Sequence, residues 1–331
     1  MSQTLPQKSS GLSSFQSPVA DDLSRVEKIL LNELRPEIPW MNQLLKSSTL
    51  ARGKRMRPTL LLLCGKQLGD LDDRHHQLAA AVEMIHVATL VHDDVIDEAE
   101  SRRHQPTVNR QYGTRVSILL GDYLFTHAFS VASRAGNAEA VSILAAASNR
   151  VCEGEMRQNM AQGNLELAQD DYLSIISDKT AELVAAACHI GAVFSGGNEH
   201  QCAGFEKYGR DIGVAFQIVD DVLDVIGEQA AVGKTLGTDV ANLKFTLPII
   251  HCRDNLNQSD RQQFLEQLST PESLDHNKLT EWLQKTDSIS YSKKFAKGKV
   301  ADAAKFAKSI EPSDCSKALL NIAEFVLQRT F

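Results

Sequence analysis

The stretch that decides the fold is residues 78–99, LAAAVEMIHVATLVHDDVIDEA. Alanine and leucine favour helix, and the apolar side chains of this stretch fall on most sides of a helix rather than on one stripe. Such a pattern is typical of a helix that is buried on most of its surface. We therefore predict a central buried helix that carries Asp93, Asp94 and Asp97 near its C-terminal end.

The composition of the whole chain points to the same fold class. Of 331 residues, 43% are hydrophobic and only 6% are aromatic. So few aromatic residues among so many alanines and leucines favour helices over a β-sandwich, and no stretch shows convincing strand alternation. No linker interrupts the middle of the chain. We predict an all-α fold, with a disordered tail over residues 1–20 and one large helical domain over residues 21–331.

The helices on either side of the central one are predicted from apolar spacing and from Gly and Pro boundaries. A basic segment, residues 52–58, opens a helix that runs to residue 68. Pro106 and Gly113 bracket a loop, and Gly227, Gly233 and Gly237 place another loop at residues 227–239. Other predicted helices cover residues 21–34, 116–135, 138–161, 172–194 and 202–226.

Charge and cysteine content exclude several classes of protein. The formal net charge of −7 disfavours a nucleic-acid partner, so any bound anion must be held locally. The longest apolar stretches, residues 59–64 and 183–194, are shorter than the roughly 20 residues of a membrane span. The six cysteines show no CxxC pair, which favours free thiols and a cytoplasmic location.

A repeated acidic pattern carries the chemistry. Residues 93–97 read DDVID and residues 220–224 read DDVLD, both inside apolar stretches. On a helix, positions i and i+4 lie one above the other, so each pattern brings carboxylates together. One copy alone would also suit a solvated helix face, but two copies in apolar helices favour neutralisation by Mg²⁺. The predicted metal ligands are Asp93, Asp94, Asp97, Asp220, Asp221 and Asp224.

Basic side chains accompany the acidic motifs, as a phosphate site requires. Lys54, Arg55 and Arg57 lie at a predicted helix start, where backbone N–H groups also favour anions. Arg102 and Arg103 follow the first acidic motif. Further candidates are Lys179 with Thr180, Lys234 and Lys244.

Taken in order, these motifs resemble the trans-isoprenyl diphosphate synthases, or polyprenyl synthetases. The resemblance runs from about Gly53 to the C-terminus. It departs from the family pattern at His104 and at Asn242-Leu243, where glycine or Glu-Gly is usual. The matching segments are residues 53–58, 83–86, 92–97, 102–103, 121–122, 154–155, 179–181, 216–224, 233–239 and 244–248.

The resemblance implies a fold of the isoprenoid synthase type with a central cavity and a role for each motif residue. Two or three Mg²⁺ ions per active site would be bound by the aspartates and would bridge an allylic diphosphate. The implied catalytic residues are Asp93, Asp94, Lys179, Asp220 and Lys234. The allylic diphosphate would contact Arg102, Lys179, Thr180, Gln217, Lys234 and Lys244. Isopentenyl diphosphate would be held by Lys54, Arg57, His86 and Arg103.

The product length follows from the helix that carries Asp93. In the family, bulky aromatics four and five residues before the first aspartate block the product tunnel, and here those positions are Thr89 and Ala88. We therefore predict a long-chain polyprenyl product that passes Ile85, with Phe125 or Phe129 as the tunnel floor. Plain core packing is the alternative role for those two phenylalanines.

Several alternatives stay open at this stage. They are a short- or medium-chain (farnesyl or geranylgeranyl) diphosphate synthase, a terpene cyclase, a metal-dependent phosphohydrolase and a non-catalytic synthase subunit. The expected partners are isopentenyl diphosphate, an allylic diphosphate and a second copy of the chain in a homodimer. The product is expected to pass to a membrane.

Overall fold

The structure is a computed structural model that describes residues 15–33, 44–45, 53–102, 105–135, 138–226, 238–270 and 274–328. The chain forms two compact units that are interleaved in sequence. The first unit comprises residues 1–148, 183–206 and 310–319, and the second comprises residues 149–182, 207–309 and 320–331. The prediction of one domain from residue 21 onward stays a prediction.

Helices make up nearly all the described secondary structure, which confirms the all-α prediction. In chain order they are α1 Ala20–Glu33, α2 Met56–Leu68, α3 Asp73–Ile96, α4 Val108–Tyr112, α5 Thr114–Arg134, α6 Ala138–Met160, α7 Gln169–Ile176, α8 Glu182–Phe194, α9 Glu199–Ile226, α10 Thr238–Ala241, α11 Leu247–Asn255, α12 Gln258–Ser269, α13 His276–Lys285, α14 Ser288–Ser309 and α15 Asp314–Gln328. A π-helical turn, Ser177–Ala181, joins α7 to α8, and a 3₁₀ turn, Ser17–Val19, precedes α1.

The predicted central helix is confirmed as α3, the core of the first unit. It packs against α1, α2 and α5. Its residues from Leu78 to Ile85 are buried on every side, as the apolar pattern requires. The helix begins with Asp72 as N-cap, whose carboxylate accepts hydrogen bonds from the backbone N–H groups of Arg74 and His75.

Close backbone approach in the first unit depends on one glycine of α8. A Cβ at Gly191 would lie 2.1 Å from the carbonyl oxygen of Leu61 in α2. No side chain fits there, so α8 and α2 pack backbone to backbone. The contact fixes the helix that follows the basic segment.

In the second unit, α11 packs against α14 and α7. Phe264 and Trp282 meet edge to face with ring centroids 5.4 Å apart, and His251 stacks on Tyr291 at 3.9 Å. A Cβ at Gly213 would lie 2.5 Å from Cα of Ala181, so α9 passes directly against the π-helical turn. These contacts fix the part of α9 that carries the second acidic motif.

Three predictions need correction. The predicted loop between Pro106 and Gly113 contains the short helix α4, whose N-cap Thr107 accepts a hydrogen bond from the backbone N–H of Arg110. Residues 15–20, assigned to the tail, are helical, and Phe15 and Val19 are buried because their apolar side chains pack into the first unit. The described chain also contains a short antiparallel pairing of Ser101–Arg102 (β1) with Gln105–Pro106 (β2). Strands of two residues are too short to show alternation in the sequence.

Helix α5 is apolar over a greater length than the two stretches that the sequence analysis compared with a membrane span. Among the described residues, α5 is long and apolar enough to cross a membrane by length and composition, a test that core helices also pass. Its most apolar window is 39% buried. Ile118 is 43% exposed and Leu119 is 67% exposed, so part of its apolar surface lies outside the core.

Candidate active site

The first acidic motif lies at the C-terminal end of α3. Asp93 and Asp94 are within the helix, whereas Asp97 is the C-cap residue, and its N–H donates a 2.8 Å hydrogen bond to the carbonyl of Asp93. Asp94 is only 5% exposed, while Asp97 faces solvent. The predicted one-turn spacing is therefore present, although the helix ends inside the motif.

Arg102 in β1 contacts this motif directly. Its Nε donates a 2.7 Å hydrogen bond to Oδ1 of Asp94. Burial raises the pKa of Asp94 above its ordinary value even though Arg102 acts in the opposite direction. The short hairpin therefore places a cation beside a buried carboxylate, as expected where charged phosphate oxygens and metal ions bind.

Helix α5 packs against His92, the residue before the first acidic motif, and fixes its position. A Cβ at Gly121 would lie 2.1 Å from Nε2 of His92, and that nitrogen donates a 3.1 Å hydrogen bond to the carbonyl of Ile118. Gly121 belongs to a motif that the sequence analysis noted without giving it a role. Its role is to let α5 approach the residue that precedes Asp93.

The predicted isopentenyl diphosphate residues that the structure describes lie in the first unit. Lys54 is exposed just before α2, Arg57 is in its first turn, and His86 is half-buried on α3. Burial lowers the pKa of Arg57, whose Nε has no hydrogen-bond partner among the described residues. A buried donor without a partner is a candidate for binding an anion. Arg103 lies outside the described residues.

The second acidic motif lies near the C-terminal end of α9. Asp221 is 4% exposed, and its carboxylate accepts hydrogen bonds from the hydroxyl of Tyr172 at 2.5 Å and from Nε2 of Gln217 at 2.8 Å. Burial raises its pKa to about 7, and the charges of Asp220 and Asp224 act in the same direction. Crowded carboxylates of this kind are stabilised by a bound cation.

The π-helical turn positions Lys179 and Thr180 beside α9. Thr180 Oγ1 donates a 2.9 Å hydrogen bond to Oε1 of Gln217. Lys179 pairs with Glu155 at 2.5 Å, and a Cβ at Gly154 would lie 2.5 Å from the backbone nitrogen of Lys179. The structure thus brings together four predicted site residues of the second unit: Lys179, Thr180, Gln217 and Asp221.

Lys244 follows a turn that the sequence marked as unusual. Leu243 has φ +55°, a left-handed conformation that costs most residues about 1 kcal/mol and that glycine adopts freely. This is where the family pattern has glycine. The carbonyl of Leu243 accepts a 2.9 Å hydrogen bond from Gly163 N, which holds the strained turn. Lys234 and His104 lie outside the described residues.

The predicted chain-length residues lie on α3 and α5, which pack together. Ala88 and Ile85 are fully buried, and Thr89 is half-buried. Phe125 and Phe129 on α5 are half-buried, and the ring of Phe125 stacks on His92 with centroids 6.1 Å apart.

Sequence reasoning missed three residues that support the motifs. Tyr172 carried no motif signal, and only the need of buried Asp221 for a donor could have indicated it. Glu155 and Asp239 were noted inside motifs without a role. Asp239 N donates a 2.9 Å hydrogen bond to Asp224 Oδ2, and Glu155 pairs with Lys179.

The aspartates of the two acidic motifs form an open set of donors. Within the part of the chain that the structure describes, no group of three or more His, Cys, Asp or Glu side chains could hold a metal ion by itself. Among these residues, neither acidic motif is therefore a closed cage of three carboxylates. Carboxylate oxygens in an open arrangement still fit Mg²⁺, which takes one or two carboxylates and fills its other positions with water and phosphate oxygens. The raised pKa of Asp94 and of Asp221 also fits a cation site, because a bound cation would stabilise these buried carboxylates in their charged form.

Known proteins are similar to this chain over most of its length. The family model described as Polyprenyl synthetase matches residues 38–285. The chain is 33% identical over 313 residues to the octaprenyl diphosphate synthase of Haemophilus influenzae, covering 94% of each protein. It is 35% identical over 283 residues to a short chain isoprenyl diphosphate synthase of Methanothermobacter thermautotrophicus, covering 84% of this chain and 87% of that protein.

A solved structure is similar over the whole length. The polyprenyl synthase of Caulobacter crescentus, complexed with calcium and isoprenyl diphosphate, superposes with a TM-score of 0.89 at 31% identity. The match covers 98% of this chain and 100% of the Caulobacter crescentus chain. On these matches the chain belongs to the polyprenyl synthetase family, which confirms both the resemblance and the prenyltransferase class that its motifs predicted.

Proposed function

We propose that the protein is a Mg²⁺-dependent trans-polyprenyl diphosphate synthase that makes a long-chain product. It condenses an allylic diphosphate with isopentenyl diphosphate, head to tail, and releases diphosphate. The observation that carries this proposal is the pair of acidic motifs in apolar helices, each with a buried aspartate beside a cation or amide: Asp94 with Arg102, and Asp221 with Gln217. A hydrolase would not need this duplication.

The carboxylates of Asp93, Asp94, Asp97, Asp220 and Asp224 would hold Mg²⁺, with two or three ions per active site. When bound, Mg²⁺ neutralises the charge of the allylic diphosphate and makes it a better leaving group. Asp221 supports the second motif through its hydrogen bonds to Tyr172 and Gln217. The relative solved with calcium supports a divalent cation.

The protein side chains act on the two substrates in different ways. Arg102, Lys179 and Lys244, with Lys234, bind the allylic diphosphate and stabilise the charge that develops on it as its C–O bond breaks. The electron pair of that bond leaves with the diphosphate. The double bond of isopentenyl diphosphate then forms the new C–C bond, and a proton is lost to the departing diphosphate.

Isopentenyl diphosphate needs its own anion site. Lys54, Arg57 and His86, together with Arg103, hold its diphosphate without a metal. The unpartnered Nε of Arg57 supports this assignment. Buried apolar residues of α3, such as Ala88 and Val91, keep water from the allylic cation.

The proposed product is long because the positions ahead of Asp93 are small. Ala88 and Thr89 carry no ring that would block the path of the product beside Ile85, and Phe125 or Phe129 forms the floor of the tunnel. The octaprenyl synthase relative supports this reading. The short chain isoprenyl relative favours a shorter product as the second candidate.

We further propose a cytoplasmic homodimer that passes its product to a membrane. The exposed apolar side chains of Ile118 and Leu119 on α5 support an interface with a second copy. Six free thiols support a reducing compartment.

The test incubates purified protein with Mg²⁺, isopentenyl diphosphate and an allylic primer such as farnesyl diphosphate, and identifies products by mass. We expect a ladder of added isoprene units that ends beyond the geranylgeranyl length, and no product after chelation. Phosphate release without a new C–C bond would contradict the proposal and favour a hydrolase. Products that stop at the geranylgeranyl length would favour the second candidate.

A further inference from the structure

The segment between Gly53 and Arg57 is fixed in part by residues outside the region that the family model matches. That region begins at residue 38, whereas α1 ends at Glu33. Glu27 of α1 binds the guanidinium of Arg55 with both carboxylate oxygens, 2.5 Å from Nε and 3.2 Å from Nη2. The opposite edge of the guanidinium, Nη1, donates a 2.9 Å hydrogen bond to Glu83 of α3. We name these three residues, Glu27, Arg55 and Glu83, the Arg55 clamp.

The clamp acts on a residue in an uncommon backbone conformation. Arg55 has φ +52° and ψ +35°, in the left-handed region, and is the N-cap of α2. A residue with a side chain stays in that region only where its surroundings hold it. Glu27 and Glu83 supply that hold from two sides, because each binds a different edge of the guanidinium.

The clamp also sets the path of the backbone before it. A Cβ at Gly53 would lie 2.6 Å from Nη1 of Arg55 and 2.8 Å from Oε1 of Glu83. The backbone at Gly53 therefore rests directly on the Arg55–Glu83 ion pair. A second contact from the N-terminal segment acts on the next residue: Nε2 of Gln16 donates a 3.0 Å hydrogen bond to the carbonyl of Lys54.

The residues on either side of Arg55 are those assigned to isopentenyl diphosphate. Lys54 precedes it in an exposed position, and Arg57 follows it in the first turn of α2. Arg57 also lies in the field of the clamp, since the charge of Glu83 acts on its guanidinium. A change in the backbone conformation of Arg55 would turn both cations at once, because Lys54 is its neighbour in sequence and only one residue separates it from Arg57.

We propose that Glu27 is a positioning residue for the isopentenyl diphosphate site, and that α1 holds Lys54 and Arg57 in place through Arg55. The inference rests on the proposed function, because the proposed function identifies isopentenyl diphosphate as the anion that Lys54 and Arg57 bind. It assigns to α1 a part in substrate binding that acts through Arg55.

The test compares Glu27→Gln with Glu33→Gln. Both substitutions remove one negative charge from α1, but Glu33 pairs with His127 and Arg134 and not with the clamp. We expect Glu27→Gln to raise KM for isopentenyl diphosphate about tenfold, with kcat and KM for the allylic substrate unchanged. Glu27→Asp, which keeps the charge, should restore part of the loss, and Glu33→Gln should behave as the wild type.

Hydrogen exchange at residues 53–59 tests the clamp without using activity. Glu27→Gln should speed exchange there, and Glu33→Gln should not. If the wild type makes no product, this difference still supports the clamp, and the proposed function fails instead. Equal exchange in the two variants, or an equal loss for both substrates, would overturn the inference.

A second substitution covers the case in which Glu27→Gln does not fold. Gln16→Ala removes the hydrogen bond to the carbonyl of Lys54 and leaves every charge in place. We expect it to raise KM for isopentenyl diphosphate selectively. An unchanged KM together with unchanged exchange at residues 53–59 would contradict the role assigned to the N-terminal segment.

Discussion

Arg102 Nε lies 2.7 Å from Oδ1 of Asp94, so a guanidinium, a group whose geometry suits phosphate, is paired with a buried carboxylate. The pair fixes the hairpin of β1 and β2 against the end of α3. In the proposed site Asp94 would therefore have two tasks, because the same side chain orients Arg102 and would offer an oxygen to a metal ion.

Replacing Asp94 should therefore damage both tasks. We expect Asp94→Asn to lower kcat by about 100-fold or more and to raise the Mg²⁺ concentration needed for half-maximal rate. The measurement is the rate of condensation across a Mg²⁺ titration. The control is Glu98→Gln, which removes an exposed carboxylate just after the motif. If the two variants behaved alike, Asp94 would have no role in the active site.

Gly154 offers a test of how the π-helical turn is held. Because a Cβ there would lie 2.5 Å from Lys179 N, Gly154→Ala should force the turn away from α6. Overpacking of this kind costs about 1–3 kcal/mol of unfolding free energy, and the shift of Lys179 should lower kcat as well.

The matched control for Gly154 is Gly298→Ala in α14, where no atom lies within 4 Å of the added Cβ. There we expect a gain of about 0.5–1 kcal/mol, because alanine loses less backbone entropy than glycine in a helix. Urea unfolding measures both changes. A neutral Gly154→Ala would show that the close approach to Lys179 is not needed.

Product length is best tested at Thr89. Phenylalanine at fully buried Ala88 would have to displace its neighbours, whereas Thr89 is half-buried, so a ring there should displace fewer atoms. We expect Thr89→Phe to shorten the products with a smaller loss of stability than Ala88→Phe. Thr280→Phe on an exposed position of α13 is the control. Products of unchanged mass would contradict the tunnel assignment.

The pH dependence of stability should report on His75. This buried side chain lies 2.8 Å from Asp72 through Nδ1 and 3.0 Å from Ser195 Oγ through Nε2. Burial lowers the pKa of His75 below its ordinary value of 6.5, although Asp72 acts in the opposite direction. The unfolded chain therefore binds a proton more readily than the native one as the pH falls below about 6.5.

It follows that the free energy of unfolding should fall between pH 7 and pH 5, and less so in His75→Gln. Urea unfolding across that range gives the comparison, with exposed His200→Gln as the control. If His75→Gln and the wild type lose stability in parallel, His75 is not the titrating group.

The proposed homodimer predicts that α5 is covered in solution. Leu119→Asp places a charge at a position that is 67% exposed in the single chain, so it should not disturb the fold. In a dimer it would bury an unpaired charge, and we expect a monomer by light scattering. Leu31→Asp, at another exposed leucine, is the control. A Leu119→Asp dimer would contradict an interface at this face.

Much of the fold could be predicted because its signals are local in sequence. The apolar run of residues 78–99 predicted α3, and the repeated aspartates marked the ends of α3 and α9. Other features depend on contacts between distant residues. The hydrogen bond of Tyr172 to Asp221 joins residues far apart in the chain, and nothing around Tyr172 in the sequence marks it.

Backbone detail was also beyond the sequence pattern. A helix was predicted over residues 172–194 because its apolar spacing continues, yet a π-helical turn interrupts it at Ser177–Ala181. One extra residue in a single turn hardly changes the apolar spacing when that spacing is averaged over several turns. Similarly, Arg55 adopts its left-handed conformation because Glu27 and Glu83 bind it, not because of its own preference.

The π-helical turn has a consequence for sequence length. Tyr172 and Thr180 are eight residues apart, which in an α-helix would leave them about 80° apart around the axis. A π turn adds about one residue, so they behave as if seven apart and lie within about 20° of each other. Both then reach α9, Tyr172 at Asp221 and Thr180 at Gln217. A one-residue deletion that converts this turn to α-helix would therefore leave the pair on one face, whereas straightening the turn without a deletion would rotate one of the two away by about 80°. The turn thus accommodates one residue that the two contacts with α9 do not need.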